Sequence, residues 1–407
     1  MDRIAIDFGT SNSAAALAWD GGVHRIAIER GADTLPTAVF FPEGGRMRIG
    51  AAAFDALIAG EEGRYMRALK SVLGQPLLHE KRLVGGKRQT LADIVTAFLV
   101  ELRERSEAAT GLTFTRVLSG RPVHFHDDAD RDAQAEADLR ACYLAAGYTD
   151  VAFLPEPEAA ARAAGGGAGI GLIVDIGGGT SDFSVYEASG QGLRILASHG
   201  IRLGGTDFDR DVSLSHAMPL LGLGSELRRD MGEGRLPVPR APFVDLATWA
   251  KIPFLYNADA RRMAADMARH AVEPDKLGRY AEVLENELGH GIAFAVEHGK
   301  IAANSDDAAA SIALGEIERG LSAPITSQSL GDALADHRGA LHAAAAETLA
   351  RAGLARDAVQ EVVLVGGSSL MGLVRDTARD LCPGAAQRRA DAFTAVVDGL
   401  AITARDG

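Results

Sequence analysis

One short pattern occurs twice in the 407-residue chain, and it limits the possible folds more than any other feature. Ile4-Ala5-Ile6-Asp7-Phe8-Gly9-Thr10 is matched by Leu172-Ile173-Val174-Asp175-Ile176-Gly177-Gly178-Gly179-Thr180. In each copy an apolar run of strand length ends in an aspartate, then in glycines and a hydroxyl residue. More strand-like residues follow each copy, at 14–19 and 23–28 after the first and at 182–186 and 193–198 after the second. The turns between them fall at Asp20-Gly21-Gly22 and near Gly190. A strand–turn–strand unit repeated at this distance predicts a duplicated α/β supersecondary unit and two similar lobes.

The remaining periodicity fills in both halves. Helical spacing covers 91–109 with Gly111 just past its end, 130–146 ending at Gly147, and 158–164. Strands are expected at 116–119 and 151–154, and the run from Gly165 to Gly169 reads as a mobile loop. Residues 205–334 are mainly helical by pattern, with a proline-rich surface loop over 236–243. A helix over 331–352, a strand over 361–365, the turn Gly366-Gly367-Ser368, and helices over 370–381 and 393–403 complete the chain.

Glycine turns let backbone N–H groups approach phosphate oxygens, and Thr or Ser hydroxyls add donors. An aspartate closing the preceding strand suits Mg²⁺ held through its waters. Two such loops facing each other would grip a triphosphate from both sides. Alone, each Asp-x-Gly-Thr hairpin could be an ordinary tight turn; two copies plus a late third glycine turn argue for phosphate. No Gly-x-x-x-x-Gly-Lys-Ser/Thr is present, so the chain is not a P-loop protein. Gly204-Gly205 lacks the strand–helix context of a dinucleotide site.

Composition excludes other classes. A net charge of −13 opposes non-specific binding to nucleic acid or anionic membranes. Two cysteines, no long apolar run and no basic-then-apolar leader predict a cytoplasmic protein.

Five motifs in order resemble the actin/DnaK-type ATPase superfamily. Asp7-Phe-Gly-Thr-Ser-Asn-Ser13 is similar to its first phosphate loop, and Asp175 to Asp182 to its second. Leu154-Pro-Glu-Pro-Glu-Ala-Ala160 is similar to the first connecting helix, Leu203 to Asp209 to the DnaK-type glycine turn, and Val362 to Ser368 to the adenosine motif. Glu297-His-Gly-Lys300 with Asn304 resembles the helix that holds ribose and adenine; Ala68-Leu-Lys70 resembles the segment carrying the catalytic lysine. Within the superfamily the chain most resembles the short YegD-type chaperones, through Gly120-Arg-Pro-Val-His124, Ala217 to Gly222 and the ending Phe393 to Ala401. The sequence ends at Gly407, so the resemblance implies a nucleotide clamp without an attached substrate-binding domain.

The resemblance implies an actin-like ATPase fold with a ribonuclease-H-like βββαβα core in each lobe and nucleotide in the central cleft. Lobe I would span 1–166, with its core at about 1–32 and 112–166 and an outer subdomain at 33–111. Lobe II would span 167–407, with its core at about 167–204 and 335–407 and an outer subdomain at 205–334. ATP or ADP with Mg²⁺ would be the ligands. Gly9, Thr10, Ser11, Asn12, Gly177, Gly178, Gly179, Thr180, Gly204 and Gly205 would serve the phosphates. Glu297, Lys300, Asn304, Gly366, Gly367, Ser368 and Leu370 would serve the nucleoside. Asp7 and Asp175 would hold hydrated Mg²⁺, Lys70 would steady the developing charge, and Asp182 and Glu156 would orient water. Glu156 has an equally plain reading as helix N-terminal charge. Leu370, Asn304, Ile301 and Phe393 depart from the DnaK pattern; Leu370 replaces an arginine that stacks on adenine. These departures fall at the adenine end, while the phosphate end is complete.

Such a chain could be a slow ATPase switching a protein client or regulator, acting as a monomer. It could also be a nucleotide-sensing pseudo-ATPase with little hydrolysis. A sugar or carboxylate kinase fits less well, because no substrate-binding insertion is recognisable, and nothing supports filament formation. His124-Phe-His126-Asp127-Asp128 with Asp130 reads as helix capping more readily than as a metal cluster. Trp249 and Tyr256 read as packing or a small partner surface, and Cys142 as buried and inert.

Overall fold

The computed structural model describes every residue except 1, 20, 30, 165–168, 190–191, 230–231, 392–393 and 406–407. The turn at Asp20, the loop Gly165–Ala168, the turn at Gly190 and Phe393 therefore lie outside the described residues. The chain divides into two compact units, Met1–Gly205 with Ala340–Gly407, and Thr206–Gly339.

The two largest sheets of the first unit share one five-stranded plan, to which the first adds the short strand Leu35–Pro36 beside Asn12–Trp19. In the first sheet Arg3–Phe8 is central, antiparallel to Asn12–Trp19, which is antiparallel to Gly22–Arg25. On its other side Arg3–Phe8 runs parallel to Arg116–Arg121, and that strand parallel to Asp150–Pro155. In the second sheet Gly169–Ile176 is central, antiparallel to Ser181–Ser189, which is antiparallel to Gly192–Ile201. Glu361–Val365 and Ala386–Arg389 add in parallel on the far side. The repeat read in the sequence is thus a repeat of topology. Helices Ala129–Ala145 and Gly372–Leu381 make the parallel crossovers, and Glu156–Ala164 and Ala395–Arg405 follow the last strands. This is the duplicated βββαβα core of an actin-like ATPase.

Those last two helices pack on each other through small residues. Ala159, Ala160, Ala161, Ala395, Val397 and Ala401 are buried there, with Ala5, Ala14, Ile173 and Val363 from the two sheets. A Cβ on Gly399 would lie 1.7 Å from the Ala159 carbonyl oxygen, so only glycine allows the helices this close. Residues 33–90 carry a three-stranded sheet, helix Ala51–Ile58 and the hairpin Arg82–Val84/Lys87–Gln89. Helix Leu91–Thr110 then begins with a Thr90–Asp93 capping box and stops at Gly111, whose φ is 71°.

The second unit is mainly helical, as its pattern implies, with Ala258–His270, Pro274–Glu285 and Gly289–Asn304 as its longest wholly contained helices. Three expectations change. The helix expected over 331–352 is two helices, Ser327–Ala333 and Ala335–Arg351, broken at Leu334. Over 236–243 the chain is not all loop: Arg235–Pro237 pairs with Glu226–Arg228, and Ala241–Leu246 is a short helix with Pro242 in its first turn, where a missing N–H costs nothing. The helix expected from 370 starts at Gly372, after a tight turn over Gly367–Leu370. Among the described residues no helix is long and apolar enough to cross a membrane.

Candidate nucleotide site

The two glycine loops close in the same way. Gly9 N–H donates to the Asn12 carbonyl at 3.1 Å, and Gly177 N–H to the Thr180 carbonyl at 3.0 Å. They also face each other. A Cβ on Gly178 would lie 2.5 Å from Ser11 Oγ, and one on Gly179 3.0 Å from Thr10 Oγ1. Two further turns join them. Gly205 N–H donates to the Gly177 carbonyl at 3.0 Å, and a Cβ on Gly204 would lie 2.5 Å from Gly179 N. A Cβ on Gly205 would meet Ser368 Oγ at 2.4 Å, and one on Gly366 would meet Asp175 Oδ1 at 2.7 Å. Gly367 and Ser368 begin the turn that ends at Leu370. The predicted phosphate residues and the glycine turn of the adenosine motif therefore converge within the first unit.

Behind these loops sit four carboxylates and one ammonium. Lys70 Nζ donates to Glu156 Oε1 at 2.5 Å, and both residues are at least nine-tenths buried. Glu156 also opens its helix, as the reading of helix N-terminal charge expects. Lys70 rides on the turn Leu69–Val72, entered through Ala68 in the left-handed region at φ 59°. That turn is pinned by Asp138, which the sequence did not single out, and by His126, which the sequence read with the capping run. Buried Asp138 accepts from Gly74 N–H at 2.9 Å, and His126 Nε2 donates to the Leu73 carbonyl at 2.7 Å. Asp182 Oδ1 accepts from Val123 N–H at 2.7 Å, and Asp175 Oδ2 is buried with no hydrogen-bond partner.

Burial and crowding set the protonation of the cluster. Burial and the Glu156 charge push the Asp7 carboxyl up to about 7, with Lys70 opposing. Burial and Glu156 push Asp182 up to about 8, although Val123 N–H, the Thr180 hydroxyl and Lys70 favour its charged form. Asp175 is held well above the carboxylate range by burial and by Glu156, Asp182 and Asp7. Burial works against the Lys70 ammonium, but Glu156, Asp7 and Asp182 outweigh it and raise its pKa. Four acids against one base, with an orphaned carboxylate oxygen, fit a divalent cation. Among the described residues no three His, Cys, Asp or Glu side chains are grouped to chelate a metal directly. A hard ion that keeps its own waters suits Asp7 and Asp175.

In the second unit Glu297, Lys300 and Asn304 lie on helix Gly289–Asn304 at spacings that share one face. Lys300 Nζ is bonded to Asp209 Oδ1 at 2.6 Å, and Trp249 Nε1 donates to Asp209 Oδ2 at 3.0 Å. Burial raises the Asp209 pKa, Lys300 lowers it, and the Glu297 charge raises it. Trp249 is a core residue and Tyr256 bonds the Glu287 carbonyl. Asp209 closes a quoted motif, but no local signal tells that it pairs with Lys300. Leu370 and Ile301 are exposed. Asp128 caps helix Ala129–Ala145 through Arg131 N–H at 3.0 Å, with Asp130 in its first turn. Cys142 is buried, which pushes its thiol up to about 11.

Comparisons with known proteins agree with this geometry. The family model described as Hsp70 protein matches residues 3–218. Chaperone protein DnaK of Endomicrobium trichonymphae is 33% identical over 216 residues, covering 51% of this chain and 33% of that protein. Chaperone protein DnaK of Thermotoga maritima is 32% identical over 215 residues, 51% of this chain and 34% of its own length. The Chaperone protein HscA homolog of Pseudomonas putida is 31% identical over 247 residues, covering 55% and 38%. The chain spans about a third of the length of the curated relatives it matches. With more than half of its residues matched by that model and its motifs folded into facing loops, the chain belongs to the Hsp70 family.

Proposed function

We propose that the chain binds ATP with Mg²⁺ and hydrolyses it slowly, using the change in phosphate state as a conformational switch for a protein client or regulator. The observation that carries this is the surplus of buried carboxylates around Lys70, directly behind two facing glycine loops. Thr10, Ser11 and the N–H groups of Gly177 to Thr180 bind the phosphates. Asp7 and Asp175 would hold Mg²⁺, which would supply charge neutralisation there. Lys70 meets the charge growing on the terminal phosphoryl group, and Glu156 keeps its ammonium aimed. Asp182, anchored by Val123 N–H and poised near neutrality, orients the attacking water and takes its proton. Loss of the terminal phosphate removes the group that both loops hold, and the lobes read from the sequence, 1–166 and 167–407, are the bodies this would release. The switch requires that ATP favour the closed form more than ADP does. The YegD-type short chaperones remain the group this reading assigns it to.

Exposed Leu370 on the adenosine turn favours a second reading, a nucleotide-sensing module with little hydrolysis. Calorimetric titration with Mg·ATP separates the two. Saturable binding with continuing heat supports the ATPase. Binding without that heat supports the sensor, and no binding removes both.

A further inference from the structure

Lys70 sits on a turn whose far end is a single clamped peptide. Leu73 N–H donates back to the Lys70 carbonyl at 3.3 Å, so the peptide that follows Leu73 is tied to the lysine's own backbone. The carbonyl of that peptide, on Leu73, accepts from His126 Nε2 at 2.7 Å. Its N–H, on Gly74, donates to Asp138 Oδ2 at 2.9 Å. A trans peptide points its two polar groups in opposite directions, so these bonds grip one rigid plane from both edges. Gly74 makes the close approach possible. Its φ is +70°, and a Cβ there would lie 2.5 Å from the Arg131 carbonyl oxygen on helix Ala129–Ala145, which also carries Asp138. Arg202 Nη2 adds a bond to the Ser71 carbonyl at 3.0 Å.

Asp138 does more here than cap one N–H group. It is 4% exposed, and its second oxygen is also occupied, by His79 Nε2 at 3.1 Å and Gln134 Nε2 at 2.8 Å. One buried carboxylate thus joins the helix to two points, Gly74 and His79, in the segment that carries Lys70. The other buried positions of this helix are Ala135, Leu139, Cys142 and Tyr143, so a carboxylate among them is a costly choice for packing alone. What it secures is the place of the turn.

We propose that Asp138 is a positioning residue for Lys70: by fixing the Leu73–Gly74 peptide it holds the buried ammonium against Glu156. It acts through Lys70 alone, and its part in turnover rests on the nucleotide reading above.

One readout needs no nucleotide. The intact chain is treated with an amine-acylating reagent at low conversion, and the modification rates of Lys70 and Lys300, which are equally buried, are read by mass spectrometry. We expect Asp138→Ala to speed labelling of Lys70 about tenfold and to leave Lys300 unchanged. Asp138→Asn keeps an oxygen for the Gly74 N–H and should stay within about twofold of wild type. Leu139→Ala, a buried change on the same helix that removes no hydrogen bond to the turn, should leave the ratio of the two rates as it was. If Asp138→Ala does not fold, Asp138→Ser, which shortens the acceptor, carries the same prediction. In turnover, Asp138→Ala should lower the rate at saturating Mg·ATP about tenfold, with ATP affinity within about twofold. In a Lys70→Ala background it should cost nothing further. An unchanged labelling ratio in Asp138→Ala, an equal change in Leu139→Ala, or a further loss of turnover in the Lys70→Ala background would overturn the proposal. A wild type that binds no nucleotide removes the nucleotide reading alone, and the labelling ratio then decides whether Asp138 holds Lys70.

Discussion

Two lysines in this protein are equally buried, and each has a carboxylate within ion-pair distance. Lys300 meets Asp209 at 2.6 Å, and Lys70 meets Glu156 at 2.5 Å. Their surroundings differ. Asp209 uses one oxygen for Lys300 and the other for Trp249 Nε1, so both oxygens of that carboxylate are satisfied. Lys70 is shared by Glu156, Asp7, Asp175 and Asp182, and one oxygen of Asp175 has no partner. A buried ion pair alone is weak evidence of function, since packing can hold one. A crowd of acids that burial drives to hold protons, with one oxygen unpartnered, is stronger evidence, because the fold alone gains nothing from gathering them.

The comparison is broken most directly at the balanced site. Lys300→Ala leaves Asp209 buried with its charge unpaired, and should cost about 3–5 kcal/mol in denaturant unfolding without nucleotide. Adding Asp209→Asn should recover part of that loss. A cost below about 1 kcal/mol would mean that the pair is not what holds this helix.

At the surplus site the sign should reverse. Asp175→Asn replaces a buried carboxyl that its acidic neighbours crowd and one of whose oxygens has no partner. The ligand-free protein should then melt a few degrees higher, by about the shift expected for roughly 1 kcal/mol in a chain this long. Turnover should meanwhile fall about a hundredfold. A variant that loses turnover and melting temperature together would place Asp175 with the structural residues.

The sequence made the topology legible because the repeat lies in strands. Asp7 and Asp175 close central strands whose partners follow within a turn, so local pattern sufficed. It found the two facing glycine loops for the same reason. Residues 33–90 gave little, because short strands such as Arg48–Ile49 and Lys87–Gln89 carry too few residues for a period to emerge. The helix break at Leu334 had no proline or glycine to mark it at that position. The supports of Lys70 were invisible for another reason. Asp138, His126 and Arg202 reach the turn from 53 to 131 positions away. Nothing in a local window reports that kind of meeting.

The smallest effect sharpens the comparison by pH. Burial and the Glu156 charge hold the Asp182 carboxyl near 8 in the fold, against the ordinary 3.8 expected when unfolded. Between those values the folded state keeps a proton that the unfolded state releases. Its stabilising contribution is complete below about pH 4 and is lost as pH rises through 8. Asp7, near 7, acts in the same direction. The ligand-free chain should therefore melt a few degrees lower at pH 8 than at pH 6. Mg²⁺ favours the ionised carboxylates, so it should restore the midpoint at pH 8 and do little at pH 6. Asp182→Asn should flatten the pH dependence, whereas Lys300→Ala should leave the Mg²⁺ effect intact, since that pair adds no surplus charge to the cluster. Equal Mg²⁺ effects at both pH values would show that these four carboxylates are not what the cation reads, and the contrast between the two lysines would lose its meaning.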